Sequence, residues 1–341
     1  MVSIIIPIYN VELYLHDCLE SLNRQTIKDF EVIFVDDCSS DTSVQILEHF
    51  LRNDCKFKYT FIKHETNRGL GAARNTGVSF AKGDFYFFLD SDDTLCPNAI
   101  EHLLKDIKKF NVDAVFGSIS LITQEGSKIK DFINKPKFLS FPANRKYLLG
   151  GTFVCAWGKL YTKKFFYSVI QAYPTDMKYE DVIPFIKMVL CLKKEWKIME
   201  SDSLSVNWRQ RTNSLSKGKT SILDIKTNLL FCQNVLSCKD FLYFLSKSIH
   251  WYQKSNELLV IYRNFSKKAI RDASIYELFT LDSRSVKYAL EIIDGEETKN
   301  IFLARIKLFY KIYRNNIYNN RIYDFYDWMK TVDTTAVGSG R

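Results

Sequence analysis

Two hydrophobic periods alternate over the first 122 residues, and that alternation constrains the fold more than any other feature of the chain. Val2–Ile8 is an apolar run rich in β-branched residues, the pattern of a strand buried on both faces. Leu15, Cys18, Leu19 and Leu22 then repeat at helical spacing, with Asn10 placed to cap the helix. Glu31–Val35 is the next strand, ending in Asp36-Asp37, and Ser40 or Asp41 is placed to cap a helix carrying Val44, Leu47 and Leu51. Phe57–Lys63, Leu70–Ala81, Phe85–Leu89, Asn98–Phe110 and Ala114–Ile122 continue the series. Such a βαβ series predicts an α/β fold, a mostly parallel sheet with helices on its faces.

Sheets of this kind bind ligands beyond the carboxyl ends of their strands. Here Tyr9-Asn10, Asp36-Asp37 and Asp90-Ser91-Asp92 follow strands, so acids from separate strands are expected to share one crevice. The stretch Phe88–Thr94, FLDSDDT, has three readings. Asp and Ser favour turns, so it suits a solvated strand end. It also matches the DxDxT of haloacid-dehalogenase-type phosphatases, with Asp90 attacking phosphorus and Asp92 as the acid. That motif belongs on the first strand of its sheet, however, and no later Lys and paired-acid set accompanies it here. The third reading is a metal clamp. Mg²⁺ or Mn²⁺ takes oxygen ligands and is held by one or two carboxylates plus phosphate oxygens, where it neutralises charge on a leaving diphosphate. Gly69-Leu70-Gly71-Ala72-Ala73-Arg74 lacks the third glycine of a dinucleotide-binding turn, which argues against an oxidoreductase.

Several ordered motifs decide among these readings. VSIIIPIYN (Val2–Asn10), FEVIFVDDCSSDTS (Phe30–Ser43), NRGLGAARNTGVSFAKGDFYFFLDSDD (Asn67–Asp93), AWGKLYTKKFF (Ala156–Phe166) and KYEDVIPF (Lys178–Phe185) together resemble the inverting family 2 glycosyltransferases of GT-A fold. The enzymes that build bacterial capsule, lipooligosaccharide or other surface glycans look most similar, and the likeness covers about two thirds of the chain before weakening beyond Ser216.

The resemblance implies a nucleotide sugar as donor, UDP-linked by preference, a saccharide or lipid-linked saccharide as acceptor, and a β-linked product. It places Pro7 and Tyr9 on the floor of the base site, one of Asp36 or Asp37 against the base, and Asn67 and Arg74 beside the nucleotide. Asp90 and Ser91 would face the ribose or sugar and Asp92 would hold Mn²⁺ or Mg²⁺, with Asp93 a supporting or helix-capping group. Asp181 in Glu180-Asp181 matches the family's base, although Asp is also a common cap at a helix start. Trp157, Lys159 and Glu180 match the acceptor side, where an aromatic face suits a pyranose ring. Arg209 and Arg211 suit a diphosphate, and equally a solvated loop. The competing expectations are a non-catalytic nucleotide-binding scaffold and, less favoured, the phosphatase.

The chain has 341 residues, enough for more than one folded region. Residues 1–220 read as the nucleotide-sugar-binding and catalytic domain, 221–330 as a helical region and 331–341 as a disordered tail. The polar, basic stretch from Gln124 to Phe141 reads as a loop. Hydrophobic residues make up 46%, and the net charge of +9 suits an anionic partner. Eight cysteines without a CxxC pair, and five histidines without metal spacing, predict reduced core thiols and no zinc site. The start at Met-Val-Ser-Ile-Ile-Ile lacks signal-peptide features and no apolar stretch is long enough to span a bilayer, so a cytoplasmic protein is expected. Between Thr298 and Lys330, seven basic residues interleave with Phe302, Phe309, Tyr310, Tyr313, Tyr318, Tyr323 and Trp328. That mixture suits an anionic membrane surface or a packing face against the catalytic domain or a sister subunit. Nucleic acid is not expected as a partner, since no recognised module accompanies the basic residues.

Overall fold

In the computed structural model the described residues are 1–140, 154–175, 177–191, 196–211, 222–237, 240–242, 244–245, 264–266 and 268–269. The chain divides into two units, one of Met1–Arg145 with Phe153–Ile225, the other of Lys146–Thr152 with Lys226–Arg341. The first holds β1 (Val2–Ile8), α1 (Leu15–Asn23), β2 (Phe30–Asp36), α2 (Ser43–Asn53), β3 (Lys58–Lys63), α3 (Leu70–Phe80), β4 (Phe85–Phe88), β5 (Thr94–Leu95) and α4 (Ala99–Lys109). Then follow β6 (Ala114–Ile122), β7 (Lys128–Phe132), β8 (Lys137–Leu139), β9 (Lys159–Thr162), a helical turn with a π-helix (Phe166–Ile170), α5 (Val182–Cys191) and β10 (Ile198–Arg209).

The sheet runs β3-β2-β1-β4-β9-β6-β10-β5, with β7 beside β6 and β8 beside β10. Strands β3, β2, β1 and β4 are parallel, as the βαβ series requires. The far half is mixed, since β9 runs antiparallel to both β4 and β6 while β10 is parallel to β6. The expected mostly parallel sheet is present in its longest ladders, and antiparallel strands extend it beyond β4. Beyond α4 the connections no longer alternate strand with helix, so parallel pairing is not enforced there.

Every residue of β1 and β2 is buried, which explains their unbroken apolar runs. Ile4, Ile6, Phe34, Leu19, Leu47 and Phe87 belong to one core cluster between the sheet and α1, α2 and α4. On α3 the small residues Gly71, Ala72, Ala73 and Gly77 allow close approach. A Cβ at Gly77 would lie 2.4 Å from Ile5 Cγ2, and one at Gly71 would lie 1.9 Å from the Pro174 carbonyl oxygen. The second glycine of the dinucleotide-like stretch thus serves packing.

Two further expectations change. Asn10 does not cap α1, which begins at Leu15. Asn10 sits at φ 50° instead, and its Oδ1 accepts from the backbone N–H groups of Ser40 and Asp41, tying the end of β1 to the loop after β2. The stretch read as a loop from Gln124 contains β7 and β8, whose exposed edge positions alternate too weakly to signal strands.

A further helix, α6, covers Ile222–Val235, and in the second unit Leu229, Cys232, Phe241, Leu242 and Leu245 are buried. The basic aromatic stretch 298–330 and the tail 331–341 lie outside the described residues. Among the described residues no helix is long and apolar enough to cross a membrane, and the cysteines are free.

Candidate active site

A cavity of about 520 Å³ opens beyond the carboxyl ends of β1, β2 and β4. Its lining includes Pro7, Tyr9, Asp37, Asn67, Asp90, Ser91, Asp92, Glu180 and Asp181. Nine of the expected site residues thus meet in one place, and the acids from separate strands do share a crevice. Arg68, Tyr179 and Arg211 also line it.

Asp37, directly after β2, is buried and well held. Its Oδ1 accepts from the Arg68 N–H (2.8 Å) and lies 2.7 Å from His64 Nδ1, while its Oδ2 accepts from the Gly69 N–H at 2.8 Å. This carboxylate fastens the segment entering α3 to the end of β2, and Gly69 supplies the required φ of 84°. Asp36 is excluded from the cavity lining and accepts from the Ser39 N–H at 3.2 Å. Of the two acids left open by the sequence, Asp37 is the one that faces the cavity.

The FLDSDDT turn follows β4. Carboxylate oxygens of Asp90, Asp92 and Asp93 lie within 4.8 Å of one another. Asp93 is buried and accepts from the Arg209 N–H at 2.7 Å. Arg209 also donates from Nε to the Asp92 carbonyl (3.0 Å) and from Nη2 to Asp17 (2.9 Å), so β10 braces the turn. Arg211 pairs with Asp92 at 2.6 Å. Burial pushes the Asp92 and Asp93 carboxyls above the usual carboxylate range, and the charges of neighbouring acids in the turn push them the same way. Hard oxygen donors with excess negative charge fit Mg²⁺ or Mn²⁺. Asp90 follows the fourth strand in chain order, and its Oδ1 accepts from Arg74 Nη2 at 2.8 Å, an arrangement unlike an in-line phosphatase nucleophile.

Arg74 does not line the cavity. It is buried on α3 and spans the site's two walls, donating from Nη2 to Asp90 and from Nη1 to Glu180, with its guanidinium 5.3 Å from the Tyr173 ring centre. Arg74 is thus placed as a buried strut behind two cavity-lining carboxylates. The two carboxylates hold its guanidinium firmly protonated.

Glu180-Asp181 precede α5, behind Tyr179 at φ 58°, a strained value for an aromatic residue. Glu180 is committed to Arg74. Asp181 is left facing the cavity, and no donor among the described residues reaches its carboxylate. Burial first, then the charge of Glu180, pushes its pKa to about 7, against the pull of Arg74 and Lys159.

The two acceptor-side residues in AWGKLY do not line the cavity either. Trp157 is 6% exposed, with its ring 5.7 Å from that of Trp208, and Lys159 is 3% exposed, donating to the Cys155 carbonyl with its ammonium 5.3 Å from the Phe116 ring centre. A Trp within an apolar segment reads as core or platform alike, and here the core wins. Sequence reasoning missed His64, considered only among histidines without metal spacing, and placed no weight on Tyr179. Neither carried a signal, since both depend on contacts across the fold.

The family model described as Glycosyl transferase family 2 matches residues 3–170. Glycosyltransferase GlyA of Streptococcus pneumoniae is 33% identical over 178 residues, 48% of this chain and 25% of GlyA. The uncharacterized glycosyltransferase MJ1057 of Methanocaldococcus jannaschii is 29% identical over 258 residues, 72% of this chain and 86% of that one. The chain spans a third or less of the length of the first curated relatives it matches. Among solved structures, residues 1–349 of S. aureus TarS in complex with UDP-GlcNAc superpose with a TM-score of 0.67 at 20% identity, over 92% of each chain. The strand order, the cavity at the strand ends and the comparisons agree: residues 3–170 match the model described as Glycosyl transferase family 2, and the chain has the GT-A fold of TarS.

Proposed function

We propose that the protein is a metal-dependent inverting glycosyltransferase. It moves a sugar from a nucleotide sugar, UDP-linked by preference, to a saccharide acceptor and forms a β-glycosidic bond in bacterial surface-glycan synthesis. The observation that carries this reading is the single cavity that brings Asp37, Asp90 and Asp92 from the strand ends together with Asp181 from the start of α5. TarS, of the same fold, was solved with UDP-GlcNAc and with UDP, which supports a uridine donor.

Asp37 offers the nucleobase a carboxylate, and Pro7 and Tyr9 offer an apolar floor. Asp92, with Asp90 beside it, would hold Mn²⁺ or Mg²⁺, which supplies charge neutralisation to a leaving diphosphate. Arg211, which pairs with Asp92 and lines the cavity, carries a guanidinium that would suit the diphosphate oxygens. Asp181 accepts the proton of the acceptor hydroxyl on its free carboxylate as that oxygen attacks the anomeric carbon from the face opposite the phosphate. A base with a pKa near 7 is matched to this task at neutral pH. Glu180 and Arg74 act through position, holding Asp181 and Asp90 at a fixed separation. A lipid-linked acceptor would place the enzyme at the inner face of a membrane, with 298–330 as the contact; without one, 298–330 would serve as a packing face for a second copy of the chain.

Incubating the chain with a panel of UDP-sugars, Mn²⁺ and oligosaccharide acceptors tests the reading by release of UDP. Acceptor-stimulated release that is lost in Asp181→Asn while UDP still binds supports it. Release unaffected by Asp181→Asn would remove the base from the mechanism.

A further inference from the structure

His64 follows β3 and is buried against Asp37, which lines the cavity. Its Nδ1 lies 2.7 Å from Asp37 Oδ1, and its Nε2 lies 3.0 Å from the Thr76 hydroxyl on α3. A carboxylate only accepts, so the ring nitrogen facing Asp37 must carry the proton. A neutral imidazole then has one remaining acceptor, Nε2, which receives the Thr76 O–H. In the neutral imidazole the chain Thr76 to His64 to Asp37 runs in one donor direction.

The consequence lies at Asp37. Two oxygens offer about four acceptor directions. Oδ1 spends its two on His64 and the Arg68 N–H, and Oδ2 spends one on the Gly69 N–H. One acceptor direction, on Oδ2, is left for the cavity. A single inflexible acceptor recognises a pyrimidine that presents an imide N–H, as uracil does. It repels cytosine, whose corresponding ring nitrogen is itself an acceptor. Without His64 the carboxylate gains a free direction on Oδ1 and freedom to turn.

We propose that His64, oriented by Thr76, is a positioning residue for nucleobase selection, making Asp37 a one-acceptor reader that favours uridine over cytidine nucleotides. This rests on the reading of Asp37 as the base contact. The chain spacing supports the assignment, because Thr76 lies on α3, the same helix that presents Arg74 to Asp90 and Glu180. A base bound against Asp37 is thereby registered to the helix that organises the reacting end of the site.

The test is calorimetric binding of UDP and CDP, with Mn²⁺, to the full chain and to His64→Asn, His64→Gln and Thr76→Val, with thermal unfolding of each variant. An asparagine amide nitrogen falls near the position of Nδ1 and keeps the donor to Asp37, whereas a glutamine nitrogen falls near Nε2 and does not. The expected result is UDP affinity reduced about tenfold in His64→Gln, with the preference over CDP shrinking by a similar factor, and most of both recovered in His64→Asn. Thr76→Val, which keeps the side-chain shape and removes the hydroxyl, shifts the preference in the same direction by about threefold. A role in packing alone would lower the unfolding temperature of both His64 variants without separating them in base preference, and that outcome overturns the proposal. If His64→Gln does not fold, an unchanged UDP-to-CDP ratio in Thr76→Val overturns it instead. Wild-type protein that binds neither nucleotide refutes the base reading itself, whereas wild-type selectivity retained in every variant refutes only the role of His64.

Discussion

Replacing Arg74 by methionine removes the one cation between two carboxylates while keeping an unbranched side chain of similar reach. The Glu180 side chain is 8% exposed and that of Asp90 is 26% exposed. Breaking a buried ion pair by deleting one partner costs about 3–5 kcal/mol, since the remaining charge stays desolvated. Asp90 regains water through its exposed edge, which places the loss at the lower end, about 3 kcal/mol. For a unit of this size that corresponds to a fall in Tm of about 6–12 °C. Thermal unfolding followed by circular dichroism at pH 7.5 measures it. Arg74→Lys, with a single ammonium that serves one partner at a time, is expected to recover about half the loss. There is a second signature, because Arg74 pulls the pKa of Asp181 down from where burial would set it. Without that cation the carboxyl ionises at higher pH, so the acidic limb of a transfer-rate profile moves upward. A fall of less than about 2 °C together with an unmoved limb would refute the strut.

Asp181 gives a prediction of opposite sign for stability and activity. Its folded pKa of about 7 lies above the ordinary carboxylate value, so its protonated form favours the fold, and that contribution is complete below about pH 4 and lost as pH rises through about 7. Asp181→Asn should therefore gain Tm over wild type progressively between pH 5 and pH 8 while losing transfer activity; a constant difference across that range counts against the perturbed carboxyl. Gly71→Ala should cost about 1–3 kcal/mol in chemical denaturation and lower kcat, because the new Cβ meets the Pro174 carbonyl oxygen and drives the segment leading to Asp181 away from α3. Wild-type stability in that variant would show that 173–181 adapts freely.

Much of the fold was legible because its central strands are buried on both faces and its helices on one. Val2–Ile8 and Ala114–Ile122 were bounded to the residue, and α3 and α4 to within one residue at each end. Legibility failed where burial is partial. Strands β7 and β8 sit at sheet edges and expose Ile129 and Phe138, so no period marks them. In the site, residues whose role follows from their place beyond a strand end, such as Asp37, Asp90 and Asp92, reached the cavity as expected. Residues assigned by motif likeness in the packed interior did not: Arg74, Trp157 and Lys159 all turned inward. The sequence shows that an Arg or Trp stands at a position but not which side of a helix or strand faces the cavity once small residues have drawn the elements together. His64 lay further out of reach, because its partners Asp37 and Thr76 are 27 and 12 residues away.

The central claim is that the acids at the strand ends form a cation-dependent nucleotide-diphosphate site. Calorimetric titration of UDP into the full chain, with Mn²⁺, with EDTA and then with Asp92→Ala in the presence of Mn²⁺, tests it most directly. The account predicts binding with Mn²⁺ that weakens by at least about tenfold both in EDTA and in Asp92→Ala. UDP binding of equal strength in all three, or none in any, would contradict it.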